Sequence, residues 1–183
     1  VVCVIKTWGD QQKPTQCISG EAENVDKRKK AFTGEVISDV AGAVTLHLCA
    51  IGDRIGLFKD LAENGPADPE AFAMRTGIDA RYAREWLEAM AAAAYVEFDP
   101  ESSNFTLPPE HARPLADDTS PLFQGALWSM LTYSMAPFDE LVEAFRNGGG
   151  VPQSSFRPEL YTSMQRSSGL RYRNFLLNMW LPD

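Results

Sequence analysis

The chain has 183 residues, a formal net charge of −8, 44% apolar residues and 23% charged residues. These proportions are ordinary for a soluble globular protein, and the length suggests one domain or one and a half. The negative charge argues against nonspecific binding to nucleic acid or to an anionic membrane surface. Since no uninterrupted apolar run approaches the ~20 residues of a membrane-spanning helix, we expect no membrane partner.

The three cysteines are an odd number in a chain of this size and give no disulfide framework. Reduced thiols are the usual state of such cysteines in the cytoplasm. We therefore predict a cytoplasmic location.

Residues 1–31 show no clear periodicity. A polar stretch is followed by the basic run Lys27–Lys30, which acidic residues precede. A solvated face or a loose tail accounts for this pattern, and we expect about the first 25 residues to pack poorly. This segment is the first of three predicted regions, the others being residues 32–115 and 116–183.

The region from Thr33 to Asn64 is predicted to be helical, because its apolar residues recur every three or four positions. Gly52 and Gly56 interrupt the pattern, so we expect a break near Gly52–Asp53. The apolar stripe is longer than one small domain needs, and a second copy of the same helix is the commonest cover. The predicted homodimer interface consists of Ile37, Val40, Val44, Leu48 and Ile51.

The stretch from Asp68 to Leu107 predicts a winged helix. Asp68 and Pro69 begin one helix that ends at Gly77, and Asp79 caps the next. The period then changes from helical to alternating around Phe98, and a polar turn leads back through Phe105. Helix, glycine turn, helix and hairpin is the order of a winged helix-turn-helix.

The remaining chain predicts a helical extension. The expected helices span residues 109–115, 122–135, 138–145 and 158–181. The glycines at 148–150 follow a helix and precede Val151-Pro152, so they predict a helix end and not a phosphate-binding loop. The predicted fold class is mainly α, with a winged helix-turn-helix, a two-stranded wing and this extension.

The sequence contains no recognisable catalytic constellation. Nucleophile motifs and a strand followed by a glycine-rich dinucleotide loop are both absent. Two histidines and three scattered cysteines do not make a zinc site, and His47 is interpreted as a buried or half-buried structural residue. We therefore predict no catalytic, cofactor-binding or metal-binding residue in this chain.

A series of short motifs resembles one family by its order and spacing. The motifs are GDRIGLF at 52–58, Thr76-Gly77, Tyr82, REWL at 84–87, Met90, the ribbon from Tyr95, LPPEHA at 107–112, GGGVP at 148–152 and WLP at 180–182. They resemble the bacterial class I S-adenosylmethionine-dependent methyltransferases with an N-terminal winged helix, relatives of the small-molecule O-methyltransferases. The resemblance covers about residues 32 to 182 and leaves residues 1–31 unmatched.

The resemblance implies an accessory role. In this family a Rossmann-like domain follows the WLP segment and holds the S-adenosylmethionine and the catalytic residues, which have no positions here. The N-terminal part commonly dimerises through its first long helices and covers the substrate pocket with the helices after the wing. The candidate pocket residues are Trp128, Met130, Tyr133, Met135 and Phe138, although large apolar residues more often pack in a core.

Two alternatives stay open, a DNA-binding regulator and a free-standing protein-interaction module. The predicted reading helix carries Arg81 and Arg84 against Asp79, Glu85 and Glu88, and the wing has acidic but no basic residues. Phosphate neutralisation by basic residues supplies most of the affinity for DNA. We therefore do not expect a DNA partner.

Duplex DNA should consequently bind weakly at physiological salt, because neither helix nor wing has a net positive face. A gel-shift titration at two salt concentrations checks this. A sequence-selective complex at nanomolar protein, weakened by added salt, would contradict the accessory role.

Overall fold

The computed structural model describes residues 15–176 and 180–181. By its internal contacts the chain divides into two compact units, Val1–Gly42 and Ala43–Asp183. The helices are α1 (Thr15–Ile55), α2 (Leu57–Asn64), α3 (Pro69–Thr76), α4 (Ala80–Ala92), α5 (Pro109–Leu115), α6 (Gly125–Ser134), α7 (Phe138–Asn147) and α8 (Pro158–Phe175). The strands β1 (Glu97–Asp99) and β2 (Asn104–Thr106) pair antiparallel. The prediction of a mainly α fold with a two-stranded wing is confirmed.

In the first unit, α1 begins at Thr15, well before the predicted start at Thr33. The segment between them is rich in Glu, Ala and Lys, which favour helix even without an apolar stripe. Exposed local contacts run along it, including the ion pair of Lys29 with Asp26 at 3.5 Å. Of the first 25 or so residues, which are predicted to pack poorly, residues 1–14 lie outside the described residues.

In the second unit, the break after α1 lies at Gly56 and not near Gly52–Asp53 as predicted. Gly56 has φ 79°, a left-handed conformation that glycine adopts without steric cost. Gly52 stays helical, and its lack of a side chain leaves room for Trp86 of α4. A Cβ atom at Gly52 would lie 2.6 Å from Cζ2 of Trp86. The Trp86 indole N–H donates to the Leu48 carbonyl at 2.9 Å. α4 therefore packs directly against the backbone of α1.

The winged helix forms as the sequence predicts. Asp68 accepts from the Ala71 amide at 2.9 Å, Gly77 ends α3 with φ 72°, and Asp79 caps α4. In the wing, Phe98 stands opposite Phe105, and Phe105 also bridges to Ala67. The bridge adds two backbone hydrogen bonds that join the wing to the segment before α3.

The core of the second unit is centred on Phe58, which is 1% exposed. Its ring centroid lies 4.9 Å from that of Trp86 and 5.8 Å from that of Trp128. Phe58 therefore packs against both the winged helix and the helical extension. Aromatic pairs at these separations add to the stability that burial of the rings provides.

An ion pair also links α1 to the extension. The Arg166 guanidinium donates to both carboxylate oxygens of Asp53, at 2.7 and 3.1 Å, and lies 4.9 Å from the Phe123 ring centroid. The Asp53 side chain is only 6% exposed. A buried carboxylate is stable when it is paired in this way, so α8 is held against the last turns of α1.

Part of α1 meets the criteria for a membrane span, contrary to the sequence expectation. Residues Asn24–Ile55 contain a window with mean hydropathy 1.4, of which 11% is buried. Asp39, His47 and Asp53 interrupt the apolar residues, so the average is high although the runs are short. One such helix is weak evidence for a membrane, because helices that pack against protein meet the same criteria.

The substitution Gly52→Ala should destabilise the protein, because the new Cβ would overlap the buried Trp86 ring. Overpacking of this kind costs about 1–3 kcal/mol of the free energy of unfolding. Chemical denaturation followed by circular dichroism measures the change. The control is Gly169→Ala in α8, where nothing lies within 4 Å of the new Cβ. That variant should gain about 0.5–1 kcal/mol through helix propensity. If Gly52→Ala stabilised the protein as much as Gly169→Ala, α4 could not pack against α1 as described here.

Candidate functional site

The first candidate surface is the apolar face of α1. In the first unit, Ile37 and Val40 are exposed. In the second unit, Val44 and Ile51 are exposed, and Leu48 is half-buried because its carbonyl side meets Trp86. Four of the five predicted interface residues therefore offer apolar side chains to solvent. Exposed apolar surface of this kind marks interaction sites.

The second candidate surface lies on α7. Its apolar residues recur at helical spacing, and none of its residues is buried. Phe145 is 92% exposed and Phe138 is also exposed. Most of the other positions of the helix are polar or charged, and three of them are the acidic residues Asp139, Glu140 and Glu143. Of these residues, only Phe138 is in the predicted pocket, although the spacing of Phe138, Leu141, Val142 and Phe145 indicates one apolar face.

The predicted pocket residues do not form one surface. Trp128 is buried and belongs to the core around Phe58, so its contacts are those of core packing. Met130 and Tyr133 are half-buried on α6, whereas Met135 and Phe138 are exposed around the turn between α6 and α7. Helical periodicity places residues on a face, but which face meets the core depends on the neighbouring helices.

A cavity of about 200 Å³ lies between α1 and α6. Its lining residues fall on one face of each helix: His47, Ala50, Ile51 and Arg54 on α1, and Ser129, Thr132 and Tyr133 on α6. Of these residues, the sequence singles out His47, Ile51 and Tyr133. The spacing of the α1 residues was visible, but their meeting with α6 depends on the tertiary fold.

The prediction that His47 is buried or half-buried is wrong, because its side chain is exposed. Its Nδ1 lies 2.7 Å from the Ala43 carbonyl oxygen, one helical turn earlier. The sequence placed His47 beside an apolar stripe that was expected to be covered, and in the structure that stripe faces solvent.

The face of the winged helix that would read DNA is neutralised by local ion pairs. Arg81 pairs with Glu85 at 2.8 Å, and Arg84 pairs with Glu70 on α3. In the wing, hydrogen bonds from the Ser102 side chain and the Glu101 amide lower the pKa of Asp99 and hold it ionised. A phosphate backbone would therefore meet paired guanidinium groups and a fixed negative charge.

The described residues contain no cluster of His, Cys, Asp or Glu that could hold a metal ion. Cys49 is a free, buried thiol, and burial raises its pKa to about 12. Since a thiolate is the reactive form of cysteine, Cys49 is a core residue and not a nucleophile.

Comparisons with known proteins find a similar domain family and similar solved structures. Residues 42–117 match the model of the Rv2258c-like winged HTH domain. No curated protein sequence matches the chain. Several solved structures share the fold. "PigF with SAH" is 20% identical, with a TM-score of 0.62, over 78% of this chain and 48% of that one.

Two further structural neighbours are methyltransferases. The mitomycin 7-O-methyltransferase MmcR is 18% identical, with a TM-score of 0.60, over 80% of this chain and 46% of its own. Human N-acetylserotonin methyltransferase, in complex with SAM, is 19% identical, with a TM-score of 0.52, over 90% of this chain and 45% of its own. The chain thus spans less than half the length of these structures. Residues 42–117 are thus similar to the Rv2258c-like winged HTH domain, and the chain shares its fold with part of these two methyltransferases.

Proposed function

We propose that this chain is the accessory part of an S-adenosylmethionine-dependent methyltransferase that acts on a small molecule. In this proposal it dimerises through α1 and covers the substrate pocket with α6 and α7. The observation that carries the proposal is the pair of uncovered apolar surfaces, one on α1 and one on α7, on a fold shared with longer methyltransferases that the chain covers to less than half.

The α1 surface supports self-association. The exposed side chains of Val40, Val44 and Ile51 are branched and apolar. Each Å² of apolar surface removed from water contributes roughly 25 cal/mol, and the same patch on a second copy is a self-complementary cover. The nearby Leu48 would extend the contact toward α4.

The α7 surface supports contact with a further domain. An amphipathic helix is stabilised in water when its apolar face is covered, and Phe138 and Phe145 are left uncovered. The family resemblance and the shared fold both indicate a larger protein in which such a face meets other residues. The exposed Met135 beside it would then contribute to an apolar pocket for the methyl acceptor.

We also propose that the protein is cytoplasmic. A reduced, buried Cys49 and a net charge of −8 suit the cytoplasm. We infer that protein and not lipid covers the apolar face of α1, because a helix that spans a membrane would carry the charge of Asp39 into the hydrocarbon layer.

Self-association is tested with Val44→Glu. The wild type should sediment as a dimer at micromolar concentration, and the charge should shift it to a monomer with unchanged circular dichroism. Ser38→Glu, also an exposed site on α1, is the control and should stay dimeric. A monomeric wild type would rule out dimerisation, and flotation of the wild type with liposomes would favour the membrane instead.

The methyltransferase assignment is tested by the reading frame beyond codon 183 and by cofactor titration. The frame should encode a strand followed by a glycine-rich turn, the arrangement that binds S-adenosylmethionine in a Rossmann-like domain. The 183-residue chain alone should show no stoichiometric binding of S-adenosylmethionine by calorimetry, whereas the longer product should bind one molecule per chain. A stop codon at that point, or a micromolar site on this chain, would overturn the proposal.

A further inference from the structure

The outer edge of the wing has a free backbone position at Phe98. In an antiparallel ribbon, residue pairs alternate between those that exchange backbone hydrogen bonds and those that do not. Phe105 exchanges both of its bonds with Ala67, at 2.8 and 3.1 Å, so its N–H and C=O groups point away from β1. Phe98 stands opposite Phe105 and therefore directs its own N–H and C=O groups away from β2, toward the free edge. None of the described residues bonds to these two groups.

An open groove of about 320 Å³ adjoins the wing, between it and α4. Its apolar lining consists of Pro69, Ala91, Phe98 and Phe105. The ring centroids of Phe98 and Phe105 lie 4.8 Å apart, yet Phe98 is still 48% exposed. If a further strand were added at this edge, its side chain opposite Phe98 would pack on that ring beside the groove.

The charges on the wing are negative. Glu97 and Asp99 flank Phe98 in β1, and both are exposed. Hydrogen bonds from the turn, with that of the Ser102 side chain first, lower the pKa of Asp99 and hold it ionised. Residues 95–107 contain no lysine or arginine. The edge therefore offers two carboxylates that no basic residue of the wing offsets.

The groove does not reverse this charge. Arg84 is the one basic residue in its lining, and Glu70 on α3 already pairs with it. Glu88 lies in the same lining and forms no ion pair with any residue that the structure describes. A positively charged occupant would consequently meet no unpaired guanidinium there.

Charge also excludes two other occupants of this edge. If β1 of a second copy paired antiparallel around Phe98, Glu97 of each copy would stand opposite Asp99 of the other. Like charges directly opposite in a sheet are destabilising. A nucleic acid would bring its phosphates to the same carboxylates. The complementary occupant is a basic segment of another protein.

The alternation of side chains along a strand determines the order of residues in that segment. Since successive side chains point to opposite faces, Glu97 and Asp99 lie on the face opposite to Phe98. The added strand alternates in the same way, so the residue opposite Phe98 is apolar and its two neighbours are basic. The basic side chains then face both carboxylates, and the apolar side chain contacts the Phe98 ring.

We propose that the free edge of β1 binds an extended segment of a partner protein in which one apolar residue lies between two lysines or arginines. The segment adds a strand to the wing, exchanges two backbone hydrogen bonds with Phe98 and pairs its basic residues with Glu97 and Asp99. This site goes beyond the proposed function, because it uses neither the α1 surface nor the α7 surface.

The test is fluorescence anisotropy at low salt, in which the whole chain is titrated into a labelled peptide, glycine-serine-threonine-lysine-valine-lysine-threonine-serine-glycine. One comparison peptide has proline in place of valine, which removes the N–H that would donate to the Phe98 carbonyl. The other has the same composition with its lysines moved to the two ends. The first peptide should bind one per chain, at least about fivefold more tightly than either comparison. No saturable binding, or equal binding of either comparison peptide, overturns the proposal.

A matched pair of double variants tests the carboxylates. Glu97→Gln with Asp99→Asn should weaken binding at least about fivefold, because both charge pairs are lost. Asp139→Asn with Glu140→Gln removes the same two charges from exposed positions of α7 and should leave the affinity unchanged. Unchanged binding in the wing variant, or an equal loss in both variants, overturns the proposal.

Amide hydrogen exchange of the wild type tests the edge without any substitution. At saturating peptide the Phe98 amide should exchange at least about tenfold more slowly, because a strand on this edge accepts its hydrogen bond. Unchanged exchange at Phe98 would place the peptide elsewhere and overturn the proposal, even if the wing variants failed to fold.

Discussion

The contact between Trp86 and the backbone of α1 at Gly52 is the constraint on which the second unit depends. The indole ring occupies the space of the missing side chain and donates to the Leu48 carbonyl. Phe58 also lies beside Gly52, and its ring packs against both Trp86 and Trp128. Since Trp86 fixes one side of α1 in the core, the opposite side, with Val44 and Ile51, is left to solvent.

The winged helix is a fold that can read DNA, so the side chains on its own helices bear on its role. In a winged helix, α4 would be the reading helix, but here its inner face carries Trp86 and its outer arginines are paired with glutamates. The fold provides a rigid support for α1 and for the extension. Phosphate contacts supply most of the affinity for nucleic acid, and the arginines that would make them here already have carboxylate partners.

The extension is held to this support at two points, Trp128 against Phe58 and Arg166 against Asp53. Both lie near the turn between α1 and α2, so α6 and α8 are positioned by the same part of the chain that ends the candidate dimer helix. The cavity between α1 and α6 is a consequence of this arrangement, because α6 lies next to Arg54 and His47 of α1. On α7, Phe145 is left in solvent.

Local signals in the sequence determined the elements. Asp68, Gly77 and Asp79 place the ends of α3 and α4, because caps and left-handed glycines act within a few residues of the chain. The alternation around Phe98 and the polar turn after it determined the wing. The same signals did not predict the start of α1, because helix propensity without an apolar stripe is a weak indication of a helix.

Only the tertiary structure decided what the helix faces meet. Gly52 was read as a break in α1, and its role became evident only with Trp86, which lies far away in sequence. Trp128 was grouped with Tyr133 by composition, but one packs in the core and the other lines a cavity. A sequence gives the period of a helix and the side chains on each face. Which face is covered depends on contacts between residues distant in the chain, and these have no local signal.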